Sequence, residues 1–259
     1  MKNTALITGA STGIGKELAV LHAERGGDMV IVARSEDKLQ ELKAELESNH
    51  GVEVRVLAYD LTDREAPSQI FQQLREEEIE IEFLINNAGF GGVGKFHQRE
   101  WSDELAMINL NVVALAELTR LFLPAMVARG RGRVLNVSST ASLMPGPLQA
   151  VYFATKAFVT SLSNALAEEL KDTGVTVTAL MPGATETEFA RAAGMENTPL
   201  FEKTASARRV AEDGYNGMLA GKLDVISGLN LFQRILLALV PLTPKRIVLS
   251  ETRKLQEVE

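Results

Sequence analysis

Short apolar runs alternate with longer amphipathic segments along most of the 259-residue chain. The apolar runs predict buried strands at 5–7, 28–33, 52–58, 83–85, 133–137, 175–180 and 224–226. Helical periodicity between them predicts a helix beginning near Ile14 and further helices over 35–48, 62–78, 103–128 and 149–173. Strands separated by single helices are typical of a parallel sheet with helices on both faces. The pattern therefore predicts an α/β fold, a three-layer, doubly wound domain of the Rossmann type.

No linker rich in proline or serine interrupts this alternation, so a single domain is expected over residues 1–259. Within it, the stretch 184–222 follows the sixth strand, and we expect it to form a lid over the substrate. A small helical extension is expected over 228–257. Its apolar part, 229–240, is too short to span a bilayer. Three roles stay open for this part: covering the substrate pocket, packing against a second subunit, or lying on a membrane surface.

Charge and composition narrow the possible partners. The net charge of −7 and the isoelectric point near 5.2 argue against nucleic acid. The chain has no cysteine, so neither a disulfide framework nor thiol chemistry is expected. The three histidines, His22, His50 and His97, are far apart in sequence, and no metal site is predicted. No segment has the pattern of a signal peptide, and we expect a cytoplasmic protein.

A glycine-rich turn follows the first predicted strand. The pattern Thr-Gly-x-x-x-Gly-x-Gly places Gly9, Gly13 and Gly15 between that strand and the next helix. Gly9 permits a sharp reversal, Gly13 lets the backbone approach a pyrophosphate, and Gly15 lets the helix pack close to the sheet. The free N–H groups at the helix start favour a dianion, and Ser11 and Thr12 add hydroxyl donors. The motif predicts a dinucleotide-binding turn.

A second motif lies near the middle of the chain. Tyr152 and Lys156 are four residues apart, so on a helix they share one face and lie about 6 Å apart along the axis. A cation beside a phenol favours the phenolate and lowers its pKa from about 10. Ser139, which precedes Tyr152 by thirteen residues, supplies a hydroxyl. A tyrosine tuned in this way can exchange a proton with an alcohol or a carbonyl compound.

Over about residues 3–190 the chain resembles the short-chain dehydrogenase/reductase family. The resemblance rests on motifs that occur in the family's order and spacing: Thr8–Gly15, Asn86-Asn87-Ala88-Gly89, Ser139, Tyr152-x-x-x-Lys156 and Pro182-Gly183. Within the family, the chain is most similar to the DltE-like bacterial oxidoreductases. The resemblance implies a Rossmann fold and an enzyme that transfers a hydride between a nicotinamide cofactor and a carbonyl or alcohol substrate.

The resemblance also implies a role for each catalytic residue. Ser139 would hydrogen-bond the substrate oxygen, with Ser138 as the less favoured alternative. Tyr152 would exchange a proton with that oxygen, while Lys156 would lower the pKa of Tyr152 and hold the nicotinamide ribose. Asn111 would complete the set by distorting its helix and holding a water molecule, since asparagine is a poor helix former. The alternative for Asn111 is a satisfied polar residue of the core.

The end of the second strand bears on the choice of cofactor. Arg34 stands where an acidic residue would select NAD(H), and its planar cation suits a 2′-phosphate. A charged hydrogen bond contributes about 1.5–3 kcal/mol, which favours NADP(H) over NAD(H) roughly tenfold or more. The alternative is an exposed arginine paired with Glu36 or Asp37. Asp60, after the third strand, either binds the adenine amino group, as the resemblance implies, or caps the following helix.

The other cofactor contacts are implied by the resemblance. They come from the glycine-rich turn, the motif pair and the ends of the third, fourth and sixth strands: Ile14, Leu61, Asn87, Ala88, Gly89, Tyr152, Lys156, Pro182, Gly183, Thr185 and Thr187. The sequence thus predicts an NADP(H)-dependent oxidoreductase, a homodimer or homotetramer, acting on an apolar carbonyl or alcohol. The alternative function is a non-catalytic dinucleotide-binding sensor or scaffold on the same fold. The intact serine, tyrosine and lysine favour the enzyme, because a sensor has little need for a proton donor.

Overall fold

The computed structural model describes residues 3–195, 198–201 and 204–257. The described residues form these strands: β1 (Ala5–Thr8), β2 (Met29–Ala33), β3 (Val54–Ala58), β4 (Phe83–Asn86), β5 (Gly132–Val137), β6 (Val175–Pro182), β7 (Thr185–Glu186), β8 (Ala205–Ser206) and β9 (Asp224–Ser227). Seven of them make one parallel sheet in the order β3-β2-β1-β4-β5-β6-β9, and β7 pairs with β8 beside it. The predicted doubly wound fold is confirmed.

Helices cover both faces of the sheet. In chain order they are α1 (Gly13–Ala23), α2 (Glu36–His50), α3 (Ala66–Glu76), α4 (Trp101–Ile108), α5 (Leu115–Ala128), α6 (Ala150–Glu169), α7 (Phe189–Ala192), α8 (Ala207–Leu219), α9 (Leu231–Leu239) and α10 (Lys245–Gln256). One core layer lies between the sheet and α1, α2 and α8, and the other lies between the sheet and α3, α5 and α6. Strands β1 and β4 are buried along their whole length because both faces are covered.

The predicted helix over 103–128 is continuous from Trp101 to Ala128, but its winding changes midway. Between α4 and α5, Asn109–Ala114 forms a π-helical segment. This wider turn carries Asn111 into the interior, where it is 1% exposed. By length and composition Trp101–Ala128 could cross a membrane, but within this domain its buried side chains pack against α3, α6 and β5.

Two other helix boundaries differ from the prediction. α3 begins at Ala66 rather than near residue 62, because Oδ1 of Asp60 accepts hydrogen bonds from the backbone N–H and the hydroxyl of Thr62, at 2.9 and 2.8 Å. Asp60 therefore orders the turn ahead of the helix instead of capping its first residue. α6 ends at Glu169 rather than at residue 173, and the turn that follows closes at Gly174, whose φ is +75°.

The predicted lid, 184–222, is too long at its carboxyl end. α8 packs against α1 and the sheet, and its Val210, Tyr215 and Met218 are at most 2% exposed, so this helix belongs to the core. The segment that follows β6 and precedes α8 contains β7, α7, a 3-10 turn at Pro199–Phe201 and β8. Residues 196–197 and 202–203 of the predicted lid lie outside the described residues.

The predicted extension, 228–257, forms α9 and α10. α9 begins with a capping box, in which the side chains of Asn230 and Gln233 each accept from the other's backbone N–H. It has no buried residue, and it lends no side chain to the cavity described below. α10 instead packs against the 3-10 turn Pro199–Phe201 and buries one face. Residues 229–240 therefore do not cover the pocket, which was the first of the three roles left open for them. α10 covers it instead.

Candidate active site

A cavity of about 510 Å³ opens at the carboxyl ends of the strands. β1 and β4 are adjacent there although β2 and β3 lie between them in sequence, and doubly wound folds bind ligands at this switch point. The predicted site residues that line the cavity are Gly9, Ser11, Thr12, Gly13, Ile14, Arg34, Asp60, Leu61, Asn87, Ala88, Gly89, Ser139, Tyr152, Lys156, Pro182, Gly183, Thr185 and Thr187. Gly15 and Asn111 do not line it but contact residues that do.

The glycine-rich turn leaves no room for side chains. Gly9 and Gly13 have φ values of +67° and +56°, a conformation that favours glycine. A Cβ on Gly15 would lie 2.1 Å from the carbonyl oxygen of Gly9, so α1 can approach the turn only without a side chain there. A Cβ on Gly13 would lie 2.9 Å from the methyl group of Thr187. The segment after β6 therefore passes directly over the turn.

Asn87 ties the end of β4 to the end of β1. Its Nδ2 donates to the carbonyl oxygens of Thr8 and Gly9, at 3.0 and 3.1 Å. In return, the hydroxyl of Thr8 accepts from the backbone N–H groups of Asn87 and Ala88, both at 3.0 Å. These bonds fix the two strand ends side by side while keeping short side chains at the cavity wall.

Two cations line the cavity near the carboxyl end of β2. Arg34 is exposed, and within the described part of the chain no ion pair joins it to Glu36 or Asp37, so the paired alternative is not observed. Lys38 was not anticipated from the sequence. It lies one turn further along, on α2, and its Nζ is 3.3 Å from a carboxylate oxygen of Glu188. Arg34 and Lys38 are four residues apart, and this spacing was the sequence signal that could have placed both cations on the same side.

The serine and tyrosine hydroxyls meet on one wall of the cavity. Ser139 lies two residues beyond the end of β5, and its Oγ accepts from the backbone N–H of Ala141 at 3.1 Å. Tyr152 lies on the first turn of α6 and lines the same cavity, and the Ser139 side chain acts to lower the pKa of its phenol. The hydroxyl of Ser138 is used elsewhere, because it donates to the carbonyl oxygen of Lys156 at 2.9 Å. Ser139 is therefore the serine that faces Tyr152.

Burial shifts the pKa values of both members of the Tyr-x-x-x-Lys motif. Lys156 is 4% exposed, its Nζ donates to the carbonyl oxygen of Val137 at 2.9 Å, and burial lowers its pKa from 10.5 to about 8. Burial raises the pKa of Tyr152 to about 12, and the Ser139 side chain acts in the opposite direction. The predicted fall in the Tyr152 pKa is therefore wrong for this structure. The ammonium lies 5.8 Å from the centre of the phenol ring, and desolvation is the largest cause of the shift.

Asn111 joins the π-helical segment to the loop that follows β4. Its Oδ1 accepts from the backbone N–H of Phe90 at 3.1 Å, and its Nδ2 donates to the Phe90 carbonyl oxygen at 2.9 Å and to the Thr155 hydroxyl at 3.1 Å. A Cβ on Gly89 would lie 3.0 Å from Asn111 Oδ1 and 3.3 Å from Lys156 Nζ. Asn111 thus lies next to Lys156, and the helix distortion predicted for it is present.

The rest of the cavity wall is mostly apolar. Its apolar side chains include Met144, Phe153, Phe189, Met195, Leu200, Phe201 and Leu255. The uncharged polar residues that line the cavity with them include Gln149, Thr252 and Gln256. Thr252, Leu255 and Gln256 belong to α10, and nothing in the local sequence pattern indicated that this helix returns to the site.

A family model described as short chain dehydrogenase matches residues 3–197. The chain belongs to the short-chain dehydrogenase family. Among curated relatives, the very-long-chain 3-oxoacyl-CoA reductase of Anas platyrhynchos is 34% identical over 209 residues, which are 77% of this chain and 64% of that protein. The chain thus spans less than two thirds of the length of that relative.

Two solved structures extend the similarity to nearly the whole chain. A short-chain dehydrogenase from Sphingobium yanoikuyae in complex with NADPH is 34% identical, with a TM-score of 0.83 and coverage of 99% of this chain and 98% of that one. The bulky-bulky ketone specific alcohol dehydrogenase from Comamonas testosteroni is 31% identical, with a TM-score of 0.79 and coverage of 90% and 89%. Neither relative distinguishes branches of the family, so membership of the DltE-like branch stays a prediction.

Proposed function

We propose that this short-chain dehydrogenase is an NADP(H)-dependent oxidoreductase that interconverts an apolar carbonyl compound and its alcohol. The supporting observation is that Ser139, Tyr152 and Lys156 line the same cavity as the glycine-rich turn. A proton donor and a dinucleotide-type turn in one cavity are the two parts that hydride transfer to a carbonyl requires. A sensor or scaffold would need only the second part.

The cavity fits a phosphorylated dinucleotide. The backbone at Gly9 and Gly13 is free of side chains, and the first N–H groups of α1 point out of a helix start that favours a pyrophosphate. Arg34 and Lys38 place two positive charges where a 2′-phosphate would pair with them. The NADPH complex of the Sphingobium relative supports this choice of cofactor. When bound, the nicotinamide would supply the hydride in reduction and accept it in oxidation.

The side chains supply the proton chemistry. Ser139 is positioned to donate a hydrogen bond to the substrate oxygen, which polarises the carbonyl group. Tyr152 gives its phenolic proton to that oxygen in reduction and takes it back in oxidation. With a pKa of about 12 the phenol is protonated at neutral pH, which suits a proton donor. Lys156, with a pKa of about 8, is mostly charged at pH 7 and stabilises the phenolate as it forms.

The substrate class follows from the remaining walls. Outside the cofactor contacts the cavity presents aliphatic, aromatic and methionine side chains, which favour a large apolar group on the carbonyl compound. The names of the relatives support a large substrate, because one is a very-long-chain 3-oxoacyl-CoA reductase and the other an alcohol dehydrogenase specific for bulky-bulky ketones.

We also propose that the protein forms a homodimer or a homotetramer. α9 exposes Leu231, Phe232, Ile235, Leu236 and Leu239 by 46% to 75% each. Such a contiguous apolar face is typical of a surface that another molecule covers. A second copy of this chain is the occupant that the oligomer requires.

A screen of ketones and 3-oxoacyl thioesters, followed by loss of NADPH absorbance, tests the proposed activity. We expect turnover with bulky apolar compounds, and we expect Tyr152→Phe to abolish it while NADPH still binds, because only the hydroxyl is removed. Binding of both variants is measured by quenching or enhancement of NADPH fluorescence. NADPH binding without turnover of any compound would favour the sensor, and full activity in Tyr152→Phe would remove Tyr152 as the proton donor.

A further inference from the structure

We infer that Gln149 and Gln256 form a polar subsite in the apolar part of the cavity. This subsite would accept a hydrogen bond from a hydroxyl or amide N–H group that the substrate carries away from its reacting carbonyl. The inference rests on the proposed function, since it concerns the part of the cavity assigned to substrate. It narrows the substrate class from an apolar carbonyl compound to one with a neutral hydrogen-bond donor.

Both glutamines are buried, and each has an unused hydrogen-bonding atom. Gln149 is 4% exposed and Gln256 is 1% exposed, and both line the cavity. Within the described part of the chain, Oε1 of each side chain is buried and accepts no hydrogen bond. A buried amide oxygen without a partner costs free energy, and native proteins rarely leave one unsatisfied. Both oxygens are shielded from the cavity in this structure, and turning either carboxamide about its terminal torsion would present the oxygen to a ligand there.

The backbone fixes Gln149 close to the proposed proton donor. Its N–H donates to the carbonyl oxygen of Gly146 at 3.2 Å, and its carbonyl oxygen accepts from Phe153 at 3.0 Å, at the start of α6. A Cβ on Gly91 would lie 3.4 Å from Gln149 Oε1 and 3.2 Å from Cδ2 of Tyr152. The Gln149 carboxamide and the Tyr152 ring therefore both border Gly91.

Gln256 reaches the cavity from the last turn of α10. One turn earlier, Thr252 is 6% exposed and its hydroxyl contacts Sδ of Met144 at 3.6 Å. α10 also packs against the turn Pro199–Phe201. These contacts anchor the helix on two sides of the cavity, so Gln256 occupies a built position and is not a loosely held residue of the tail.

The surroundings specify a neutral donor. Among the described residues that line the cavity, five are charged: Arg34, Lys38, Asp60, Lys156 and Glu188. All of these except Lys156 lie around the turns assigned to the cofactor. Of these described residues, Lys156 is the cation outside the cofactor turns, and its ammonium already donates to the Val137 carbonyl oxygen, so none is assigned to an acidic substrate group. An amide oxygen accepts from hydroxyl and N–H groups, and the broad terminal torsion of glutamine lets it turn toward a ligand at little cost.

A set of ketones differing in one polar group tests the subsite. Undecan-2-one is compared with analogues that carry a hydroxyl at C6, C8 or C11 and with one that ends in an acetamide, using kcat/KM with NADPH. We expect at least one analogue to exceed the parent ketone about tenfold in the wild type. We expect Gln256→Met and Gln149→Met each to reduce that ratio severalfold, because methionine fills the volume without accepting the bond.

Thermal unfolding separates this role from a structural one. Removing an unsatisfied buried amide should leave the Tm of Gln256→Met unchanged or raise it by about 2–4 °C. A residue that merely held the fold together would lower the Tm. Gln72→Met on the exposed face of α3 is the matched control, and it should change neither the Tm nor the substrate ratio.

Each outcome has a distinct meaning. The subsite would be overturned if the wild type had equal kcat/KM values for all five ketones. It would also be overturned if both glutamine variants kept the wild-type ratio of kcat/KM between the polar analogue and undecan-2-one. In either case, reduction of the ketones would still support the proposed function. A Tm lowered by Gln256→Met with an unchanged ratio would assign the residue to the fold. Failure of the wild type to oxidise NADPH with any of the ketones or thioesters would contradict the proposed function itself.

Discussion

Because burial lowers the pKa of Lys156, its ammonium is expected to reduce the stability of the fold, and replacing Lys156 by methionine tests this. The side chain is 4% exposed, and its ammonium donates to the carbonyl oxygen of Val137 at 2.9 Å. Burial lowers its pKa from 10.5 to about 8. Methionine has a similar length and no charge, so Lys156→Met removes the ammonium and fills much of the same space. The variant is expected to be more stable than the wild type at pH 7.

The size of the effect follows from the pKa shift. Because the folded-state pKa is the lower one, the unfolded chain binds more protons between about pH 8 and pH 10.5, and the wild type gains stability as the pH rises through this range. One pKa unit corresponds to about 1.36 kcal/mol, so the charged ammonium destabilises the fold by about 3 kcal/mol at pH 7. In a domain of this size that difference corresponds to a Tm change of roughly 6–10 °C.

Thermal unfolding of both proteins at a series of pH values is the assay. The Tm of Lys156→Met should exceed that of the wild type at pH 7, and the gap should narrow steadily between pH 8 and about pH 10. The exposed Lys222 provides the control, since Lys222→Met should show no such pH-dependent gap. Because the variant also loses the hydrogen bond to the Val137 carbonyl oxygen, the pH dependence is decisive, and a gap that is constant over this range would refute the view that burial disfavours the ammonium.

Three further changes test other parts of the structure. Arg34→Ser should lower the preference for NADPH over NADH about tenfold, measured as the ratio of the kcat/KM values for the two cofactors. Arg64→Ser, at the surface, is the control. An unchanged ratio in Arg34→Ser, or an equal change in Arg64→Ser, would contradict the role of Arg34 in binding the 2′-phosphate. Gly15→Ala should destabilise the domain by about 1–3 kcal/mol in urea unfolding, because its Cβ would meet a backbone oxygen, and a loss below about 0.5 kcal/mol would contradict that packing. Replacing both Phe232 and Leu236 by glutamine should weaken self-association in sedimentation velocity, whereas a monomeric wild type would contradict the proposed oligomer.

The sheet and the glycine-rich turn were predictable because their causes are local in sequence. Burial on both faces makes β1, β2 and β4 unbroken apolar runs, and such runs separated by helical periods define the doubly wound order. The turn at Gly9 and Gly13 needs a backbone conformation that few other residues adopt, so the glycines themselves mark it. Asn111 likewise signalled a helix distortion, although its form, a π-helical segment, could not be deduced from one residue.

The features that were missed depend on contacts between distant segments. The end of the lid was misplaced although the spacing of Val210 and Met218 in α8 was available as a helical signal. No local pattern indicated that α10 lends Gln256 to the cavity, because this requires the tail to fold back over the turn at Pro199–Phe201. The pKa of Tyr152 was mispredicted for the same reason, since spacing on a helix shows proximity to a cation but not the extent of burial.

The shifted pKa values determine which form of Tyr152 is present at neutral pH. A unit charge about 6 Å away, at an effective dielectric constant near 20, contributes about 3 kcal/mol, or roughly two pKa units. Even the full attraction of the Lys156 ammonium would therefore return the pKa of Tyr152 from about 12 only to about its ordinary value. At neutral pH the phenol would remain protonated, ready to donate to a carbonyl oxygen that gains negative charge. Oxidation of an alcohol would instead need the phenolate, so we expect oxidation to be favoured at higher pH than reduction.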